Sequence, residues 1–164
     1  FAPADKVVKA VTGLALPALN ALYPHLSRRF AEQQSKTGKQ AVLLSGLIFL
    51  AGILSAIILT LIGPTLLVWL LGAGFDQAGS LLSLMVWLIP LRLANQALGF
   101  TLLLPASLEH RASRSMLICS GVALVLGALF AMHHGAVGMI WGLLIGELIL
   151  LMSQLYISRQ GIEF

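Results

Sequence analysis

Charge is what this sequence has least of. Only 10% of its 164 residues are Asp, Glu, Lys or Arg, against about 25% in ordinary soluble domains. A water-facing surface needs more charge than this, so the expected solvent is lipid. Cysteine is nearly absent too. Cys119 stands alone, which excludes an internal disulfide, and its apolar run suits a small packing residue better than a reactive thiol. No His/Cys ligand cluster is present, which argues against zinc. His133-His134 reads as an exposed interhelical loop in preference to a metal site. The alternation expected of membrane-barrel strands is missing as well. No Ser/His/Asp or paired-carboxylate pattern for hydrolysis can be assembled, so an enzyme is not expected. No cofactor is expected either, because Gly72-Ala-Gly74 has no preceding strand and no third glycine.

What the chain does have is apolar length. Hydrophobic residues make up 59% of it, and its mean hydropathy is +0.96. In lipid every backbone polar group must be satisfied internally, which leaves helices or closed barrels. The long unbroken runs decide for helices, and about 20 apolar residues suffice to cross the hydrocarbon core.

The expected fold is therefore all-α, a polytopic transmembrane bundle forming a single domain. About five spans are expected, over residues 3–30, 41–71, 78–104, 115–132 and 136–157. Pro3 suits a first helical turn. Pro17 and Pro24 should kink the first span. Gly63-Pro64 should either kink the second or end it in a short interfacial turn. Gly138, Gly142 and Gly146 recur every four residues, as do Ala123, Gly127 and Ala131. Each set offers a face on which another helix can approach closely. Trp69, Trp87 and Tyr156 fit interfacial or core positions.

The net charge of +4 and pI near 9.7 do not indicate nucleic acid. The basic residues fall between apolar runs: Arg28, Arg29, Lys36 and Lys39 in one expected loop, Arg111 and Arg114 in another, Arg159 in the tail. The alternate loops, 72–79 and 133–135, carry no Lys or Arg. The positive-inside rule then places the basic loops and the C-terminus in the cytoplasm. The chain starts at Phe1 without an initiator Met or a signal-peptide pattern, so it is expected to be part of a longer membrane protein.

Two charges interrupt the apolar spans. Arg92 lies midway through its run, where arginine costs about 2.5–3.5 kcal/mol on insertion scales. Asn95, Gln96 and Gly99 follow at i+3, i+4 and i+7 and share its helical face. Arg92 could be a structural ion pair or could line a cavity. Asn95 and Gln96 widen the polar face beyond what one pair needs, which favours lining. Glu147 beside the glycine face could couple protons or cations, or serve as a counterion for Arg92 or a lysine. Both readings stay open. On the first span, Lys6 fits snorkelling to the interface. Lys9, a turn deeper, either snorkels or adds to a cationic wall that attracts an anionic head group.

Some stretches resemble a family. Phe1-Ala-Pro-Ala-Asp-Lys-Val-Val and Leu22-Tyr-Pro-His-Leu-Ser-Arg-Arg resemble the eighth helix of lipid-linked oligosaccharide flippases, the O-antigen and exopolysaccharide (Wzx-type) flippases of the MOP superfamily, relatives of the MATE exporters. Leu71-Gly-Ala-Gly-Phe-Asp-Gln-Ala resembles the family's external turn, and Gly146-Glu147-Leu148 a glutamate common in the last span. The resemblance covers nearly the whole chain in short, degenerate motifs, whose order and spacing match.

It implies the C-terminal half of a MATE-like/MOP transporter fold of about 12 or more helices. It also implies alternating access, and passage of an undecaprenyl-diphosphate-linked oligosaccharide across the bacterial inner membrane for polysaccharide biosynthesis. The partners implied are the bilayer, this anionic lipid-linked substrate and a glycan polymerase complex. Arg92 and Lys9 would meet the diphosphate. Two other readings compete. A MATE-like drug or cation antiporter should show more acidic than basic cavity residues. A membrane-embedded glycan polymerase or ligase should carry a large outer loop, and none is seen.

Overall fold

A computed structural model describes residues 2–32, 34–72 and 76–161. It is all-helical, with no strand among the described residues. The elements in order are α1 (Ala2–Glu32), α2 (Gln34–Leu71), α3 (Asp76–Met85), α4 (Leu88–Leu98), a π-helical segment (Gly99–Leu103) and α5 (Glu109–Gly161). Among the described residues, three helical stretches are long and apolar enough to cross a membrane: 36–63, 81–103 (the end of α3, α4 and the π segment) and 109–160. The last is two arms merged across a sharp reversal. Gly135 takes φ 58°, ψ −137°, a conformation open essentially to glycine alone, and α5 folds back on itself there.

The two small-residue faces found in the sequence pack on each other. A Cβ added at Gly142 would overlap the Gly127 backbone, one at Gly146 would overlap Ala123, and one at Gly138 would overlap the Phe130 carbonyl. The arms of α5 thus approach backbone to backbone, which is how helices associate where lipid removes the hydrophobic drive between them.

Several sequence expectations are corrected. Over the expected basic loop at 27–40 every described residue is helical, Gln33 lying outside the described residues, so Lys36 and Lys39 open α2. Arg111 and Arg114 lie in the first turns of α5, and His133 and His134 are helical residues beside the reversal. Apolar runs mark membrane crossings, but helices continue beyond them wherever nothing breaks the backbone ladder. α1 is continuous through Pro17 and Pro24, and of the two forms left open for the second span α2 takes the single helix through Gly63-Pro64. α1 is less apolar and is not among the three helices that meet the length and hydropathy needed to cross. The glycine turn after α2 begins at Gly72, φ 93°; residues 73–75 of that motif lie outside the described residues.

The expected third span keeps the length and hydropathy of a crossing over 81–103 but is interrupted within. A turn at Val86-Trp87 separates α3 from α4. Pro90 explains it. Without an N–H it cannot bond to the Val86 carbonyl, and the Ile89 N–H takes that carbonyl instead, at 3.0 Å. Pro90 then occupies the first turn of α4, where its missing donor costs nothing. Pro105 ends the π segment in a similar way. Leu104 donates five residues back to Gly99 at 2.9 Å, and Ser107 adopts a left-handed φ of 60° before α5 starts.

The span richest in polar residues is the one most enclosed. In its most apolar stretch 61% of 81–103 is buried, against 17% for α2 and 11% for α5. The outward faces of α2 and α5 are apolar, with Leu61 and Leu117 about three-quarters exposed. One core cluster joins Ala4 and Val8 of α1, Ala56 of α2, Leu82 and Met85 of α3, Leu93 of α4 and Ile140 of α5. A second joins Ala41, Leu98 and Leu102, flanked by Leu108 and Leu151, at the opposite end. α2 reaches α4 closely at Gly52, where an added Cβ would lie 2.7 Å from Pro90 Cα.

Candidate functional site

The bundle holds a cavity of about 740 Å³. Its lining runs from Lys9 and Thr12 on α1, past Arg92, Asn95 and Gln96 on α4 and Phe100 on the π segment, to Glu109, Cys119, Glu147 and Gln154 on the two arms of α5. The helical spacing that put Arg92, Asn95 and Gln96 on one face brings all three to this wall.

Arg92 and Glu147 form an ion pair across 55 residues of sequence. Arg92 Nε donates to Glu147 Oε1 at 3.1 Å, and both side chains are 21% exposed. Asn95 Nδ2 donates to Glu147 Oε2 at 2.8 Å and to the Glu147 backbone carbonyl at 3.1 Å. The carboxylate therefore accepts from both neighbours, and the counterion role for Glu147 is the one this geometry realises. Pairing and lining are not alternatives for Arg92, which does both. Such an arrangement offsets the desolvation of two charges. It also ties α4 to the second arm of α5.

Lys9, for which snorkelling and a place in a cationic wall were both open, lines the same cavity and is paired there. Its Nζ is 2.6 Å from Asp5 Oδ2, one turn earlier on α1, and its side chain is 66% exposed. The i,i+4 spacing with the acid N-terminal favours such pairs, although at that exposure the pair adds little stability. Thr12, one turn further on, turns its hydroxyl to the Val8 and Lys9 carbonyls.

Three amide oxygens stand out. Asn95 Oδ1, Gln96 Oε1 and Gln154 Oε1 are buried without a hydrogen-bond partner, and all three residues line the cavity. Gln154 escaped the sequence reading. The signal was there: it follows Glu147 by seven residues, so the two share a helical face. Cys119 is buried, as expected of a packing residue, and it also contributes to the lining. Among the described residues no group of three His, Cys, Asp or Glu could hold a metal.

Polar groups pocketed in a bundle with apolar outer faces define a class, a helical bundle of membrane-type composition with an open, partly polar cavity. Comparison adds no family to that class: no protein-family model, no curated protein and no solved structure matches the chain.

Proposed function

We propose that this chain forms one wall of a membrane transport path, as the C-terminal half of a MOP-superfamily flippase that moves an undecaprenyl-diphosphate-linked oligosaccharide across the bacterial inner membrane. The basic ends of the helices and the C-terminus then face the cytoplasm, by the positive-inside rule. The chain acts as a transporter and not as an enzyme. One observation carries the reading: a charged, amide-flanked network, Arg92–Glu147–Asn95, borders a cavity of about 740 Å³ inside a bundle whose outer helices are apolar. Ionisable groups at such depth are expensive and usually mark a substrate or ion path.

A second reading gains ground from the same network. An antiporter of drugs or cations calls for more acidic than basic cavity residues, and Arg92, Lys6 and Lys9 against Glu147 and Asp5 weigh against it by count. Arg92 and Lys9 are each matched by a carboxylate, which removes that objection. A glycan polymerase gains nothing comparable.

The test uses the full-length parent protein in cells lacking their own flippase. Surface glycan display with Arg92→Ala is compared with wild type at equal membrane expression. Loss of display supports the flippase reading; unchanged display removes the role assigned to this wall.

A further inference from the structure

The cations at the ends of the long helices differ from those of the cavity. Lys9 and Arg92 are each paired with a carboxylate. Lys36, Lys39, Arg111, Arg114 and Arg159 are exposed and form no ion pair with any described residue. Ala41, Leu108 and Leu151 meet in one cluster, which brings the start of α2 and both ends of α5 to the same end of the bundle.

On each helix these cations continue the exposed apolar face. Lys36 and Lys39 precede Leu43 by seven and four residues. Leu43 is 67% exposed and opens an apolar stripe that runs to Leu54. Arg111 and Arg114 precede Ile118 by the same seven and four. Ile118 is 58% exposed and opens a second stripe that runs to Leu129. Arg159 follows the exposed Met152 by seven. Offsets of four and seven keep to one helical face. Glu109, two residues before Arg111, lies on another face of the helix and lines the cavity instead.

The positive-inside rule accounts for cations at one end of a membrane helix, but a cation on any side of that end would satisfy it. Here one side is chosen. An exposed apolar stripe headed by two unpaired cations matches a phospholipid in its order, hydrocarbon along the stripe and an anionic phosphate at its end. We propose that these stripes are docking surfaces for anionic phospholipid, with acyl chains along the apolar faces and the phosphate held by Lys36 and Lys39 on α2 and by Arg111 and Arg114 on α5. The guanidinium fork suits a phosphate better than an ammonium does, so the α5 pair is the stronger site. The proposal needs the bundle to sit in a bilayer and does not rest on the flippase reading.

A fluorophore quenched by bromine tests it in the full-length parent protein with its other cysteines replaced. The probe sits at Leu117→Cys, a position 76% exposed and three residues past Arg114. The nanodiscs are phosphatidylcholine with a fixed minor share of phosphatidylglycerol. Bromine is carried on the chains of the phosphatidylglycerol or on those of an equal amount of phosphatidylcholine. A cation near an anionic membrane surface contributes about fivefold in affinity, so phosphatidylglycerol should be enriched at least that much beside the probe. Arg111→Gln with Arg114→Gln should abolish the enrichment, and Arg111→Lys with Arg114→Lys should keep it. Unchanged quenching by brominated phosphatidylcholine shows that each variant is folded. A probe at Met132→Cys, 80% exposed near the other end of the same arm, should see no enrichment. Equal quenching by the two lipids at Leu117→Cys would overturn the proposal, as would an enrichment that survives the Gln variants. Displacement of the lipid by millimolar glycerol phosphate would assign the cations to a soluble anion and overturn it too. Quenching by neither lipid would mean that protein covers this face, with the same consequence. Glycan display in Arg92→Ala cells judges the flippase reading separately.

Discussion

Arg92 on α4 and Glu147 on the second arm of α5 meet at 3.1 Å, and Asn95 closes the contact from one turn further along α4. Each side chain is about four-fifths buried, so removing one leaves the other charge without its partner in a poorly solvated place. The single variants Arg92→Leu and Glu147→Leu should each lose about 1–3 kcal/mol of stability, less than a fully buried pair because the cavity admits some solvent. The double variant should lose clearly less than the sum. Equilibrium unfolding in mixed micelles measures all three, and strictly additive losses would show that the two residues are not coupled.

The hairpin of α5 gives a sharper contrast, because its glycines differ in what a methyl would strike. At Gly142 the obstacle is the Gly127 backbone, which cannot rotate away, whereas at Gly127 it is the Met139 sulfur at 2.9 Å, the end of a flexible side chain. At Gly121 nothing lies within 4 Å. Gly142→Ala should therefore cost about 1–3 kcal/mol through forced separation of the arms, and Gly127→Ala less. Gly121→Ala should be neutral or gain up to about 1 kcal/mol from helix propensity. Thermal melts in detergent give the order; a melting temperature for Gly142→Ala at or above that of Gly121→Ala would contradict the packing described for the arms.

Thr101 and Ser45 join the π segment to α2 by a hydroxyl–hydroxyl hydrogen bond of 3.1 Å in a buried position. One hydroxyl donates this bond, and the other donates along its own helix, Ser45 to the Ala41 carbonyl or Thr101 to the Ala97 carbonyl. Thr101→Val keeps the shape, deletes one hydroxyl and leaves Ser45 with a partner, so it should cost only about 0.6 kcal/mol, the average for interhelical hydrogen bonds in membranes. Thr101→Ala also opens a void and should cost about 1 kcal/mol more. Equal losses for the two would mean that packing adds nothing at this contact.

The helices were legible in the sequence because apolar length and the demand for internal hydrogen bonds leave little choice. The polar face of α4 was legible for a similar reason, since Arg92, Asn95 and Gln96 repeat at helical spacing. Interruptions were read less well. Basic residues between apolar runs looked like loops, yet Lys36, Lys39, Arg111 and Arg114 continue or open helices, because charge selects a solvent and does not break a backbone ladder. Pro90 does break it, and the turn at Val86-Trp87 follows from the missing donor. Long-range pairing was beyond reach. Nothing local says whether Glu147 finds Arg92 or a lysine, whereas the Asp5–Lys9 pair follows from i,i+4 spacing on one helix and was within reach. The Arg92–Glu147 contact depends on how the helices pack, and together the two pairs turn the electrostatic character expected of the cavity from cationic to balanced.

That reversal bears on transport. If Glu147 serves only to neutralise Arg92, then Glu147→Gln harms the full-length protein by leaving an unmatched arginine, and a second substitution, Arg92→Gln, should restore balance. The double variant should recover at least about half of the display, since matched amides can still bond across the same gap at a fraction of the charged pair's strength. If Glu147 carries a proton during the cycle, Arg92→Gln cannot help, and both the single and the double variant should lose transport together with its pH dependence. Surface glycan display in flippase-deficient cells, at equal expression and over a range of external pH, separates the two. The Arg92–Glu147 contact, with Asn95 holding the second carboxylate oxygen, favours the neutralising role, so rescue by the double variant is the expected result. A double variant as inactive as Glu147→Gln alone would instead assign the carboxylate to coupling.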